Sequence, residues 1–134
     1  MNKTTLKKAV AAALEVRKNA YAPYSNFAVG AAIVTTDGTI FTGVNVENSS
    51  FGATNCAERT ALFSAITAGY RDFEAIVIAS NLSGKAVFPC GICRQVLADF
   101  NPKMRVVLVN SETKKVEQDL LLSDIFPGVF EFGK

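Results

Sequence analysis

Cys56, Cys90 and Cys93 are the only cysteines of a chain that contains no histidine. Glu58 stands two residues after the first of them, in Cys56-Ala57-Glu58, and the other two lie in Pro89-Cys90-Gly91-Ile92-Cys93. Three thiolates with a nearby carboxylate form a usable zinc inventory: three protein ligands, one open position for water, and an acid to move that water's protons. A structural zinc site wants four protein ligands, and this chain offers neither a fourth cysteine nor an imidazole. The expectation is one catalytic zinc per chain, and it obliges the fold to bring two distant segments to one point.

Helix geometry says how they meet. Cys90 and Cys93 are three apart, so on a helix they share a face and can share a metal. Pro89 presets the backbone at a helix start, where free N–H groups favour negative charge. Cys56 opens another helix. Two positions on, Glu58 would point away in mid-helix, so it joins Cys56 only if the helix N-terminus itself faces the metal. Arg59, three residues from Cys56, returns to the thiolate's side. Zinc at +2 with three thiolates leaves a net −1, a poor setting for acidifying water. Two helix N-termini and a guanidinium on sulfur would withdraw that charge.

Two plainer readings compete. A Cys-x-x-Cys pair is often a redox pair, but here it comes late in the chain and is joined by another cysteine. An isolated Cys56 would ordinarily be a buried apolar residue.

A length of 134 residues supports one domain, residues 1–134, with a real core. Charged residues are 19 % of the chain, below the roughly 25 % of typical domains, which suggests surface covered by partner subunits. A net charge of +2 without a basic tract argues against holding nucleic acid by its phosphates. Glu15 and Arg17 interrupt the N-terminal apolar run before a signal or membrane span develops. A reducing cytoplasm is therefore expected, where thiols persist.

The apolar spacing predicts a helix over 4–19, capped by Thr4 or Thr5, then a loop through Tyr21-Ala22-Pro23-Tyr24-Ser25-Asn26. Strands over 27–34 and 40–46 are joined at Thr36-Asp37-Gly38, a hairpin signal. A helix over 56–68 stops at Gly69, and a continuously apolar strand covers 73–80. Another helix spans 90–100, a buried strand 104–110, a short strand lies near 115–118, and a helical turn near 120–126. This order implies an α/β fold with a mixed sheet and helices on both faces.

On these motifs the chain resembles the cytidine deaminase family, in its small homotetrameric form. The likeness runs over Tyr21-Ala22-Pro23-Tyr24-Ser25, Phe27-Ala28-Val29-Gly30-Ala31, Gly43-Val44-Asn45-Val46-Glu47-Asn48, Cys56-Ala57-Glu58-Arg59-Thr60-Ala61, Pro89-Cys90-Gly91-Ile92-Cys93-Arg94-Gln95 and Phe126-Pro127-Gly128. The resemblance implies a three-layer α/β/α sandwich around a mixed five-stranded sheet. It implies hydrolytic deamination of cytidine and deoxycytidine at C4, with release of ammonia. Cys56, Cys90 and Cys93 would hold the zinc, and Glu58 would move protons between water, N3 and the leaving amine. Arg59 would bond the metal thiolates. Asn45 and Glu47 would hold the ribose 3′-hydroxyl, Phe27 would lie against the pyrimidine, and Ala57 would join the substrate contacts. Phe130 would close over the base from a neighbouring subunit. Phe51 stands where relatives often carry tyrosine.

Three other readings remain. Blasticidin-type deaminases share the metal segments, and the Tyr21–Gly30 stretch favours the nucleoside enzyme over them. Nucleic-acid deaminases need a phosphate-tracking groove that this charge balance lacks. A non-enzymatic zinc module would leave Glu58 idle and release no ammonia.

Overall fold

The computed structural model describes residues 1–133. The strands are β1 (Gly30–Thr35), β2 (Ile40–Val44), β3 (Phe73–Ser80), β4 (Arg105–Asn110) and β5 (Val116–Leu121). The helices are α1 (Lys3–Val16), α2 (Ala57–Thr67), α3 (Gly91–Ala98) and a short α4 (Leu122–Ile125). The sheet order is β2-β1-β3-β4-β5. Strand β1 runs antiparallel to β2 and β3, β3 is parallel to β4, and β5 is antiparallel to β4. The expected mixed five-stranded sheet is what the chain forms.

Strand alternation divides the core into two layers. Ala31, Ile33, Ile76, Ile78, Val106 and Leu108 point to the face covered by Ala57, Ala61, Leu62 and Ala65 of α2 and Leu97 of α3. Ala32, Val34, Ala75, Val77, Val107 and Val109 point to the other face, against Ala9 and Ala13 of α1. Strands buried on both faces need apolar residues at every position, which explains the continuous run in β3. Gly43 sets the distance between α2 and the sheet. A Cβ there would lie 2.3 Å from the Ala61 nitrogen and 2.8 Å from the Ala57 oxygen. Gly69, at φ 100°, follows the end of α2 in the left-handed conformation that glycine adopts freely.

The boundaries differ from expectation in three instructive places. Asn2 caps α1, its Oδ1 accepting from the Thr5 N–H at 2.8 Å, so the cap is neither Thr4 nor Thr5. Phe27 to Val29 lie outside β1 because a side chain replaces the neighbouring strand. Asn45 Nδ2 donates to the Phe27 carbonyl at 2.7 Å, and the Val29 N–H donates to Asn45 Oδ1 at 2.9 Å. Strand β5 runs to Leu121, past the short strand expected near 115–118. Its polar residues suit an exposed edge strand, with Arg105 and Asp119 paired across to β4.

The register places Gly30 opposite both Val44 and Ala79, and Ser80 opposite Asn110. The C-terminal ends of β2, β3 and β4 therefore share one end of the sheet. Cys56 and Cys90, the caps of α2 and α3, meet at that end, the usual place for a ligand on an α/β sheet.

Candidate active site

Cys56 and Cys90 are both N-cap residues, with extended backbone just before α2 and α3. Their thiols stand where first-turn N–H groups lack helical partners, a position that favours negative charge. Cys93 lies in the first turn of α3 and is fully buried. The three Sγ atoms lie within 4.8 Å of one another, and Cys56 and Cys90 are 3.8 Å apart. A tetrahedral zinc with bonds of about 2.3 Å has ligand edges of about 3.8 Å, so the donors fit that ion in type and spacing. Among the described residues no other histidine, cysteine or carboxylate joins this group, which leaves zinc a fourth position for a small molecule.

The thiols differ in acidity. A hydrogen bond from Cys93, with help from the Arg59 guanidinium, holds Cys56 far below the usual thiol range, at about 5. The same contact to Cys56, together with burial, pushes Cys93 up. Cys56 thus gives up its proton before Cys93. Arg59 Nη2 donates to Cys56 Sγ at 3.4 Å, as the three-residue offset implied, and its Nε is buried with no acceptor.

Glu58 sits in the first turn of α2 and is 5 % exposed. Burial is the main reason its carboxyl rises from 4.5 to about 7, and the negative Cys56 adds to the effect. A buried acid with that affinity can both accept and donate a proton near neutral pH. The N-terminus of α2 faces the thiols, so Cys56 and Glu58 converge despite a two-residue offset.

Glu58, Cys56 and Cys90 open into a cavity of about 340 Å³ that also reaches Phe27, Asn45, Glu47 and Ala57. Phe27 belongs to the packing around the main core while also lining this cavity. Asn45 and Glu47 lie just beyond β2, and both face the cavity. Phe130 is 66 % exposed and lines a separate surface groove, with its carbonyl accepting from Gln95 Nε2. Of the expected contacts it alone stands away from its own chain's cavity. Phe51 is also highly exposed. Sequence reasoning passed over Ser25 and Ser80, which line the same cavity. Ser80 ends an apolar strand, and Ser25 sits in a recognised loop motif, but neither carried a chemical signal without the fold.

Against known proteins, the family model for the cytidine and deoxycytidylate deaminase zinc-binding region matches residues 3–110. A cytidine deaminase of Sporosarcina psychrophila is 44 % identical over 126 residues, covering 93 % of this chain and 90 % of that protein. A probable cytidine deaminase of Dictyostelium discoideum is 44 % identical over 97 % of this chain and 86 % of its own length. The crystal structure of cytidine deaminase from Burkholderia pseudomallei superposes with a TM-score of 0.87 at 47 % identity, covering 97 % of this chain and all of that one.

Proposed function

The chain belongs to the cytidine and deoxycytidylate deaminase zinc-binding family, and from that premise we propose that it converts cytidine and deoxycytidine to uridine and deoxyuridine, releasing ammonia. The observation that carries this reading is the buried Glu58 carboxyl, poised near neutral pH beside three clustered thiols and opening into the cavity that Cys56 and Cys90 also line. An idle acid in a zinc-stabilised binding module would have no reason to be buried there, since an unpaired buried charge is costly.

Cys56, Cys90 and Cys93 would hold the zinc, which when bound would supply the Lewis acidity needed for a water nucleophile near neutral pH. Glu58 accepts the proton of the attacking water and delivers it to N3 of the pyrimidine. It then assists transfer of the second proton to the amine, which leaves C4 as ammonia while the C4 carbonyl forms. One water is consumed for each ammonia released. Asn45 and Glu47 hold the sugar, and Phe27 lies along the pyrimidine ring. Ala57, at the start of α2, brings its backbone to the base. Arg59 withdraws charge from Cys56.

Residues 1–134 act as one domain in this reading, working in the cytoplasm as a homotetramer. No helix among the described residues is long and apolar enough to cross a membrane. The exposure of Phe130 and its distance from its own cavity support its use by a neighbouring subunit. The test is ultraviolet measurement of cytidine and deoxycytidine conversion, with blasticidin S as comparison substrate and metal analysis of the same preparation. Stoichiometric zinc without ammonia release would leave only the binding module.

A further inference from the structure

Glu47 is the acid of the cavity farthest from ordinary loop behaviour. Its Oε1 accepts the N–H groups of Tyr24 at 2.9 Å and Ser25 at 3.1 Å, and its Oε2 accepts the Ser25 hydroxyl at 2.5 Å. A carboxylate offers about four lone-pair sites, so three are taken and one remains. A side chain built this way reads a single hydroxyl.

The two backbone bonds end on the same oxygen and leave the carboxylate free to pivot about it. The Ser25 hydroxyl, donating to the other oxygen, fixes the plane. Its oxygen also accepts the Phe27 N–H at 3.0 Å, across Asn26 in the left-handed conformation at φ 59°. The Phe27 carbonyl is held from the other side by Asn45 Nδ2 at 2.7 Å. Phe27 is thus clamped by its own N–H and C=O, and one hydroxyl joins that clamp to Glu47.

We propose that Ser25 is a positioning residue for sugar recognition: its hydroxyl orients Glu47 and ties it to Phe27, so that the readers of sugar and base act as one unit. This rests on the reading that Glu47 accepts the 3′-hydroxyl. The pKa of Glu47 is lowered from the ordinary carboxylate value, with the Ser25 hydroxyl the leading cause, in keeping with a carboxylate kept ionised as an acceptor. The Ser25 hydroxyl bonds Glu47 and the Phe27 N–H, not Glu58 or the thiols, so it acts on binding and selectivity rather than on proton transfer.

The experiment is steady-state kinetics on deoxycytidine and 2′,3′-dideoxycytidine for the wild type, Ser25→Ala and Ser25→Thr, with zinc content measured for each. Ser25→Ala should raise KM for deoxycytidine by roughly 10-fold, the worth of one charged hydrogen bond. Its kcat should change by less than about 3-fold, because the proton-transfer groups are untouched. The preference for deoxycytidine over the dideoxy analogue should shrink by about the same 10-fold, since only the former presents the hydroxyl. Ser25→Thr, which keeps the donor, should recover most of that preference. Equal losses on both substrates, or no loss on either, overturn the proposal. Should Ser25→Ala lose its zinc, Ser25→Thr against Ser25→Cys carries the same comparison, a thiol being a weak donor; equal preferences in that pair also overturn it. A wild type that converts neither cytidine nor deoxycytidine overturns the underlying reading instead.

Discussion

At the scale of single residues, the site depends on moving one buried carboxyl away from its ordinary acidity. Glu58 is raised to about 7 chiefly by burial. A raised carboxyl costs nothing below its unfolded value near 4.5, where it is neutral in both states. The cost grows as pH climbs to about 7 and is complete above it. In metal-stripped protein, Glu58→Gln should therefore match the wild type in stability at pH 4 and exceed it at pH 8 by on the order of 3 kcal/mol. Urea titrations at the two pH values measure the difference, and a constant gap between the proteins would contradict it. With zinc restored, the same variant should keep its metal yet turn over ~10²–10⁴ times more slowly, the usual worth of a general acid–base. Arg59 works on charge instead. Arg59→Gln should lower kcat more than it raises KM, because the loss falls on the nucleophile. Adding Cys56→His in that background returns a −1 site to neutral and should restore part of the turnover. If the single and double variants retain zinc and their losses simply add, charge withdrawal is not what Arg59 does.

At the scale of elements, two helices must deliver their N-termini to one point within a few tenths of an ångström. Gly43 governs the seating of α2 on β2. A Cβ at that position meets backbone atoms of Ala57 and Ala61, which cannot move aside as a side chain tip could. Gly43→Ala should therefore destabilise the protein by about 3 kcal/mol, toward the upper end for overpacking, and weaken zinc retention because Cys56 precedes the displaced turn. Gly52→Ala, where nothing lies within 4 Å, is the control and should change neither. Equal behaviour of the two variants in denaturation and chelator challenge would remove this account. The same elements show why the chain was so readable. Cys56, Glu58, Cys90 and Cys93 declare themselves because few chemistries use those residue types at that spacing. Continuous apolar runs marked β3 and β4, and Gly69 marked the end of α2. The strand expected from Phe27 begins only at Gly30 because Phe27 and Val29 bond the Asn45 side chain instead of a neighbouring strand, and no periodicity records such a substitution. Ser25 stayed hidden for a related reason. Its role exists only once the chain near Val46 folds back beside Tyr21, and that pairing is a product of the tertiary structure.

At the scale of the whole molecule, a zinc on Cys56, Cys90 and Cys93 would join the N-termini of α2 and α3, so metal and fold should be coupled. A chelator should lower the melting temperature, and Cys90→Ala should show the lower value without chelator. The remaining question is whether one chain builds a whole site. Phe130 is exposed on a groove formed with Phe132 and α3, apart from the cavity that holds Glu58. If it closes a neighbour's site in a homotetramer, its loss and the loss of Glu58 damage different places. Phe130→Ala should bind substrate poorly through a missing apolar contact, whereas Glu58→Gln should bind it and fail to turn it over. In a mixed assembly, a chain carrying Phe130→Ala still has its own Glu58 and receives Phe130 from the Glu58→Gln partner. That site is complete. Mixing the two variants under conditions of subunit exchange should therefore raise activity above the sum of the separate preparations, and the gain should grow with protein concentration as assembly proceeds. Sedimentation on the same mixtures reports the assembly state. Activity that stays at the sum while mixed tetramers form would place Phe130 with its own chain's cavity, or outside the reaction.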